Sequence, residues 1–251
     1  MFTRAFCKSS GITPAITGTA LFALGMLATG SAVQANMLIN LNLSASLSTV
    51  PTGTPAALVE GQMQWNNLDI GSSTTLSNLI DTSGNATAIG VAVAGASGGY
   101  NSSASTVSQV NPMLYTYPAN GGSPTVTFSG LDATGTTTYD LYVYNWWDWN
   151  PGGTNTTTSI TEAGGTLPAA QTSHYTDSAS TEGNTFTQGV NYALFTGLTA
   201  NASGDIQVSS TGAAEFNGLQ LVAVSTPEPA TLALLAAAAM GLLLLRRRKT
   251  A

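Results

Sequence analysis

The chain alternates apolar and polar residues with a period of two along several short stretches, each bounded by Gly, Asn, Ser, Thr or Pro. The clearest are MLINLNLSASL (Met37 to Leu47), AIGVAVAG (Ala88 to Gly95), TVTFSGL (Thr125 to Leu131) and YDLYVYNWW (Tyr139 to Trp147). NYALFTGL (Asn191 to Leu198), GDIQVSS (Gly204 to Ser210) and FNGLQLVAV (Phe216 to Val224) follow the same rule. A period of two puts successive side chains on opposite faces of a strand, so each stretch reads as a strand. Apolar spacing near 3.6 residues is absent between residues 36 and 224, which argues against amphipathic helices there. Polar connections such as GASGGYNSSAS and NPGGTNTTT separate the strands, and no internal repeat or domain boundary stands out. The pattern predicts an all-β fold, an antiparallel β-sandwich that is jelly-roll-like, over residues 36–224.

One strand stands apart. In Tyr139 to Trp147 the alternation sets Tyr139, Leu141, Val143, Asn145 and Trp147 on one face. Asp140, Tyr142, Tyr144 and Trp146 take the other. Both faces are bulky toward the end, so the strand is expected at the centre of a sheet or with an aromatic patch exposed.

The two ends break the pattern. Residues 1–35 read as a cleavable signal peptide: Arg4 and Lys8 form a positive start, Ala15 to Leu27 an apolar core, and Val33-Gln34-Ala35 a small-residue cleavage site after Ala35. Near the other end, Ala230 to Leu245 carries no charge and is mostly Ala and Leu. As a helix rising about 1.5 Å per residue it would be roughly 24 Å long, close to a hydrocarbon core of ~30 Å. Arg246, Arg247, Arg248 and Lys249 follow at once. The run is therefore expected to be a single transmembrane helix over 230–245, its arginines snorkelling to make up the length. The basic tail 246–251 would lie in the cytoplasm and the body outside.

Pro227-Glu228-Pro229, then the apolar run, then the basic cluster: this order resembles the PEP-CTERM sorting signal of Gram-negative bacteria. The resemblance covers residues 225–251 and implies processing by an exosortase, a membrane cysteine protease that cuts near the tripeptide and removes the helix. It implies an exported protein, held in the inner membrane until processed and then associated with the cell surface or extracellular polysaccharide. Pro227, Glu228 and Pro229 would be recognised by that enzyme and perform no chemistry themselves. The secretion machinery and a signal peptidase would be the earlier partners. The segment TFSGLDATGTTTYDLYVY and the closing AEFNGLQLVAV resemble parts of secreted planctomycete and verrucomicrobial PEP-CTERM proteins, and the final strand is also similar to galactose-binding-like modules, which implies a β-sandwich and transfers no binding residues.

Charge sharpens this picture. Charged residues are 7% of the chain, against about 25% in a typical soluble domain. All six Lys and Arg lie at residues 4, 8 and 246–249, so the body has acids and no cation. Binding to nucleic acid requires cations that displace counterions from phosphates, which excludes nucleic acid as a partner of the body. The single cysteine, Cys7, lies in the signal region, so the body has no disulfide, thiol nucleophile or cysteine-ligated metal.

Candidate chemistry is sparse. The densest stretch is YNWWDWNPGG, where Trp146, Trp147 and Trp149 flank Asp148 beside Asn150. Indole faces can stack on the C–H faces of a sugar while Asp and Asn bond its hydroxyls. The same indoles could instead fill the core. The single histidine, His174, lies in TSHYTDSAS, which reads as a loop, with only Ser173 and Asp177 close in sequence. No Gly-x-Ser-x-Gly elbow occurs, and one His cannot build a three-histidine zinc site. Paired carboxylates would suffice for a glycoside hydrolase, and Asp132, Asp140, Asp148 and Glu162 are nearest the aromatic stretch. No Asp-x-Asp-x-Asp-Gly calcium loop is present, although dispersed carboxylates and carbonyls could hold a structural Ca²⁺. No cofactor is expected. The expected function is that of a non-enzymatic exported protein of the cell surface or extracellular matrix. The alternatives are a carbohydrate-binding module using Trp146 to Asn150, and less favoured, a glycoside hydrolase or lyase.

Overall fold

The computed structural model describes residues 37–44, 64–70, 73–96, 100–101, 116–117, 120–145, 154–175, 186–212 and 216–225. The signal region 1–35, Trp146 to Asn150, and residues 226–251 with the tripeptide, apolar run and basic cluster lie outside the described residues. Thirteen strands form: β1 (Leu38–Ser44), β2 (Asn66–Asp69), β3 (Thr75–Leu76), β4 (Gly90–Ala96), β5 (Tyr100–Asn101), β6 (Thr116–Tyr117) and β7 (Asn120–Ser129). Then come β8 (Thr137–Tyr144), β9 (Thr154–Glu162), β10 (Gln171–Tyr175), β11 (Tyr192–Leu198), β12 (Ile206–Gly212) and β13 (Gly218–Ser225). None of the described residues forms a helix long and apolar enough to cross a membrane.

The fold is all-β, two sheets packed as a sandwich. One sheet runs β11-β8-β13-β1-β2 and the other β10-β9-β12-β7-β4-β3, while β5 and β6 pair separately. Among the described strand pairs all are antiparallel except β1 with β2, which are parallel with Leu41 opposite Asn66. The expectation of a wholly antiparallel sandwich is corrected at that edge. Parallel neighbours cannot be joined by a tight hairpin, and residues 45–63 lie between these two strands in the sequence.

Alternation fixes the core. Ile39, Leu41 and Leu43 of β1, Leu141 and Val143 of β8, and Leu219 and Leu221 of β13 face inward. Val126 and Phe128 of β7, with Ile206 and Val208 of β12, meet them from the other sheet. Toward the end where β8 finishes, the interior turns polar: Asn145, Thr156, Thr158, Ser173 and Ser210 are all buried. Thr158 Oγ1 donates to Asn145 Oδ1 at 3.1 Å, giving two of these groups a partner away from water.

The sequence pattern missed β2, β9 and β10, and the two-residue strands β3, β5 and β6. In β9 and β10 the inward positions are Thr156, Thr158 and Ser173 as well as Ile160, so no apolar alternation marks them. Thr favours strands because its branched Cβ stiffens χ1. His174 accordingly sits on β10 and not in a loop.

Register orients the sandwich. Ser225 pairs with Thr137 and Gly218 with Tyr144, so β13 ends where β8 begins. At this end Leu131 N–H donates to Gly204 O at 2.9 Å and Thr82 N–H to Leu38 O at 3.0 Å. Tyr144, Thr154, Tyr175, Gly212 and Gly218, where these strands end or begin, lie at the opposite end.

Candidate functional site

Among the described residues, tyrosines and side-chain amides gather on the face of the five-stranded sheet turned away from the core, where Asn40, Asn42, Tyr144 and Gln220 are buried. On β8, Tyr139, Leu141 and Val143 enter the core, which sends Asp140, Tyr142 and Tyr144 outward, the division the alternation gave. Across one row of the sheet stand Tyr192, Tyr144, Gly218, Asn42 and Asn67, contributed by β11, β8, β13, β1 and β2. The next row aligns Leu194, Tyr142, Gln220 and Asn40. No Lys or Arg occurs here, and Asp140 is the acid nearest the tyrosines.

Three rings and a phenylalanine cluster at the β8–β11 side. Tyr142 and Tyr192 stack with centroids 5.8 Å apart and planes at 28°, and both are half-buried. Tyr144, fully buried, meets Phe186 edge-on at 5.1 Å and Tyr192 at 5.9 Å. Burial pushes the Tyr142 phenol up from its ordinary pKa, helped by the Asp140 carboxylate and Tyr192. The Tyr142 phenol therefore stays a neutral donor at physiological pH.

An amide chain runs from the rings across the sheet. Tyr144 O–H donates to Gln220 Oε1. Gln220 Nε2 donates to Asn40 Oδ1 at 2.7 Å, and Asn40 Nδ2 to Gln64 O at 3.0 Å. Beside it, Asn42 Nδ2 donates to Asn67 Oδ1 at 2.9 Å and Asn67 Nδ2 to Trp65 O at 3.3 Å. Two buried atoms of this region have no partner, Asn42 Oδ1 and Trp65 Nε1. Each such atom costs about 1–3 kcal/mol when it loses water without a replacement. The arrangement supplies donors, acceptors and ring faces, and no group placed as a nucleophile.

The other candidates fall in separate places. His174 is exposed, with Nδ1 2.5 Å from Asn155 Oδ1, while the neighbouring Ser173 side chain points into the core. The imidazole therefore has no hydroxyl to activate from Ser173. Asp132 is held by its own turn, with Thr134 and Thr136 hydroxyls and the Thr134 and Thr137 N–H groups on its oxygens. These bonds, the Thr134 hydroxyl foremost, hold its carboxyl well below the ordinary range. Asp140 Oδ1 accepts the Gly197 N–H at 2.9 Å, and Glu162 Oε1 accepts from Asn201 Nδ2 at 2.5 Å. Each carboxylate thus has a structural occupation. Among the described residues no group of three or more His, Cys, Asp or Glu stands together as a metal site. Trp146, Trp147, Asp148, Trp149 and Asn150, like Pro227 to Pro229 and Arg246 to Lys249, are outside the described residues.

Sequence reading missed a repeated device that the sequence does contain. Asp81-Thr-Ser-Gly, Asp132-Ala-Thr-Gly and Asn201-Ala-Ser-Gly each place an Asx side chain on the N–H two residues ahead, at 2.9, 2.9 and 2.8 Å. The glycine that follows has positive φ in all three, at 85°, 75° and 81°. The signal was the pattern Asx-x-Ser/Thr-Gly, a turn whose side chain substitutes for a backbone acceptor.

Residues 225–249 match the PEP-CTERM protein-sorting motif. The chain therefore carries this sorting signal at its C-terminal region. No curated protein and no solved structure matches the chain, and the resemblance of the body to galactose-binding-like modules has no support from them.

Proposed function

We propose that the protein is a non-enzymatic component of the cell surface or extracellular matrix, associated with exopolysaccharide and delivered as a folded β-sandwich cargo. One observation carries this reading: the sorting motif over 225–249, which implies an exported protein sorted by an exosortase. In this reading the signal peptide 1–35 is removed by signal peptidase, the helix 230–245 holds the chain in the inner membrane, and Arg246 to Lys249 fix its direction. The exosortase then cuts near Pro227-Glu228-Pro229. The body suits such handling, because it has neither cysteine nor cation between residues 9 and 245. Nothing in it would pair with anionic lipid or form stray disulfides during export.

A jelly-roll reading of the sandwich is supported by its pairing. Counting β1 and β7 to β13 as eight strands, first pairs with last, β7 with β12, β8 with β11, and β9 with β10. That nested order is the one two Greek keys produce.

The second reading is a carbohydrate-binding module. The stacked Tyr142–Tyr192 pair favours it, because paired rings offer a face to a sugar and Trp146 to Asn150 follow β8 in the sequence.

Fractionation of the native host tests the primary reading. The protein should appear in the surface or released fraction, and replacing Pro227, Glu228 and Pro229 with Ala should trap it with the inner membrane. Finding the unaltered protein only in the cytosol would sink the proposal.

A further inference from the structure

The outer face of the six-stranded sheet has no role in the foregoing account. Alternation inside β7, β12 and β9 sends Val126, Phe128, Ile206, Val208 and Ile160 into the core. The positions between them point outward. Thr125, Ser209 and Ser159 form one cross-strand row, and Thr211, Thr157 and Thr172 another. Thr127 and Gln207 begin a third, flanked on β4 by Ala92. All are half-buried or exposed.

The rows of Thr125 and Thr157 hold no charged and no aromatic residue, and the third ends on Glu162, opposite Gln207 at the end of β9. The other described acids lie elsewhere: Asp81, Asp132 and Asp205 are in turns, and Asp69 and Asp140 belong to the other sheet. The hydroxyls are also held in place. Gln207 Nε2 donates to Thr127 Oγ1 at 2.9 Å, and Thr161 Oγ1 donates to Gln207 Oε1 at 2.9 Å. Thr157 and Thr172 hydroxyls are 3.4 Å apart. Threonine in a strand has few rotamers to lose on binding, so the array is largely preorganised.

Chemistry narrows what such a face can bind. A nucleic acid needs cations, and a lipid surface needs basic or large apolar side chains. Protein interfaces concentrate Tyr, Trp, Met and Arg and are depleted in Ser, the reverse of this composition. A neutral polymer of hydroxyl groups needs partners that both donate and accept, at regular intervals and without charge. Strand geometry repeats these groups at about 4.8 Å across the sheet and about 6.8 Å along it.

We propose that the outer face of the six-stranded sheet, centred on Thr125, Ser159 and Ser209, docks an uncharged polysaccharide. This rests on the matrix reading above and gives it a surface and a ligand class. The site is distinct from Tyr142 and Tyr192, which lie on the opposite sheet.

The test uses the mature protein recovered from the exporting host. It is sedimented with microcrystalline cellulose, with an insoluble neutral β-glucan, and with calcium alginate as the anionic control. Wild type should be retained on at least one neutral polymer and not on alginate. The pair Ser159→Lys with Ser209→Lys should lower that retention by about tenfold or more. Ala133→Lys, a charge placed in an exposed turn, should leave it unchanged, while Tyr142→Ala with Tyr192→Ala reports on the opposite sheet. Circular dichroism and melting temperature establish that each variant is folded. If the lysine pair unfolds, Thr125→Gln with Ser209→Gln replaces it. Retention unaffected by folded face variants, retention lost only with the tyrosines, or equal binding to alginate would each overturn the proposal. So would failure of wild type to bind either neutral polymer, or intact mass showing sugar already attached to Thr125, Ser159 or Ser209. None of these outcomes alters where the protein is found on fractionation, so the matrix reading stands or falls separately.

Discussion

Asp132 accepts four hydrogen bonds from Thr134, Thr136 and Thr137, and all of them favour the carboxylate over the acid. Its folded pKa lies below the unfolded value, which is about 3.9. The stability it contributes is therefore fully present above that value and is lost as pH falls through and below it. Because the turn is open to solvent, the amount is small, about 1 kcal/mol. Asp132→Asn should lower stability by that amount in urea melts at pH 7, and the difference from wild type should shrink steadily as the melts are repeated toward pH 2.5. Ser173 makes the opposite case. Its hydroxyl is buried with no partner among the described residues, so Ser173→Ala should raise the unfolding free energy from urea melts slightly, by up to about 1 kcal/mol. Asp132 was visible in the sequence as a charge, but its task was legible only through the Asx-x-Ser/Thr-Gly pattern. Ser173 was invisible, because an inward-facing serine breaks the apolar alternation used to find strands.

One edge strand of each sheet is tied to the other through a single side chain. β11 closes one sheet and β10 the other, and Gln171 of β10 bridges them. Its Oε1 accepts the Leu194 N–H at 3.1 Å, and its Nε2 donates to the Leu194 carbonyl. The side-chain amide stands in for a neighbouring strand and leaves that backbone unavailable to another chain. Gln171→Ala should speed hydrogen exchange at the Leu194 amide and lower stability by about 1 kcal/mol. The turns interlock through glycine. A Cβ on Gly204, whose φ is +81°, would lie 2.7 Å from the Leu131 carbonyl oxygen, whereas one on Gly135, at φ +75°, meets nothing. Gly135→Ala bears only the cost of its backbone conformation, about 1 kcal/mol. Gly204→Ala adds a backbone clash and should lower the thermal midpoint further. Apolar strands such as β7, β8 and β13 were legible from alternation alone. β9 and β10 were not, because their inner faces are partly threonine and serine. Nor was the parallel β2, whose four residues fall below the length at which a period of two can be recognised.

At the scale of the molecule, the chain divides its tasks along its length. The described strands build a cation-free sandwich, and the sorting motif begins at Ser225, the last residue of β13. One residue, Thr226, separates that strand from Pro227 in the sequence. The sequence made the address plain because tripeptide, apolar run and basic cluster are local features. It left the body's role open because hydroxyl rows and ring pairs are assembled only when distant strands pair. The account stands on the body being cargo of that signal. Intact mass spectrometry of the surface-associated protein tests this most directly. The result predicted is a chain that begins after Ala35 and has lost residues 230–251, with the C-terminal loss abolished in cells lacking exosortase. A surface protein whose mass still includes Arg246 to Lys249, in cells with active exosortase, would contradict it.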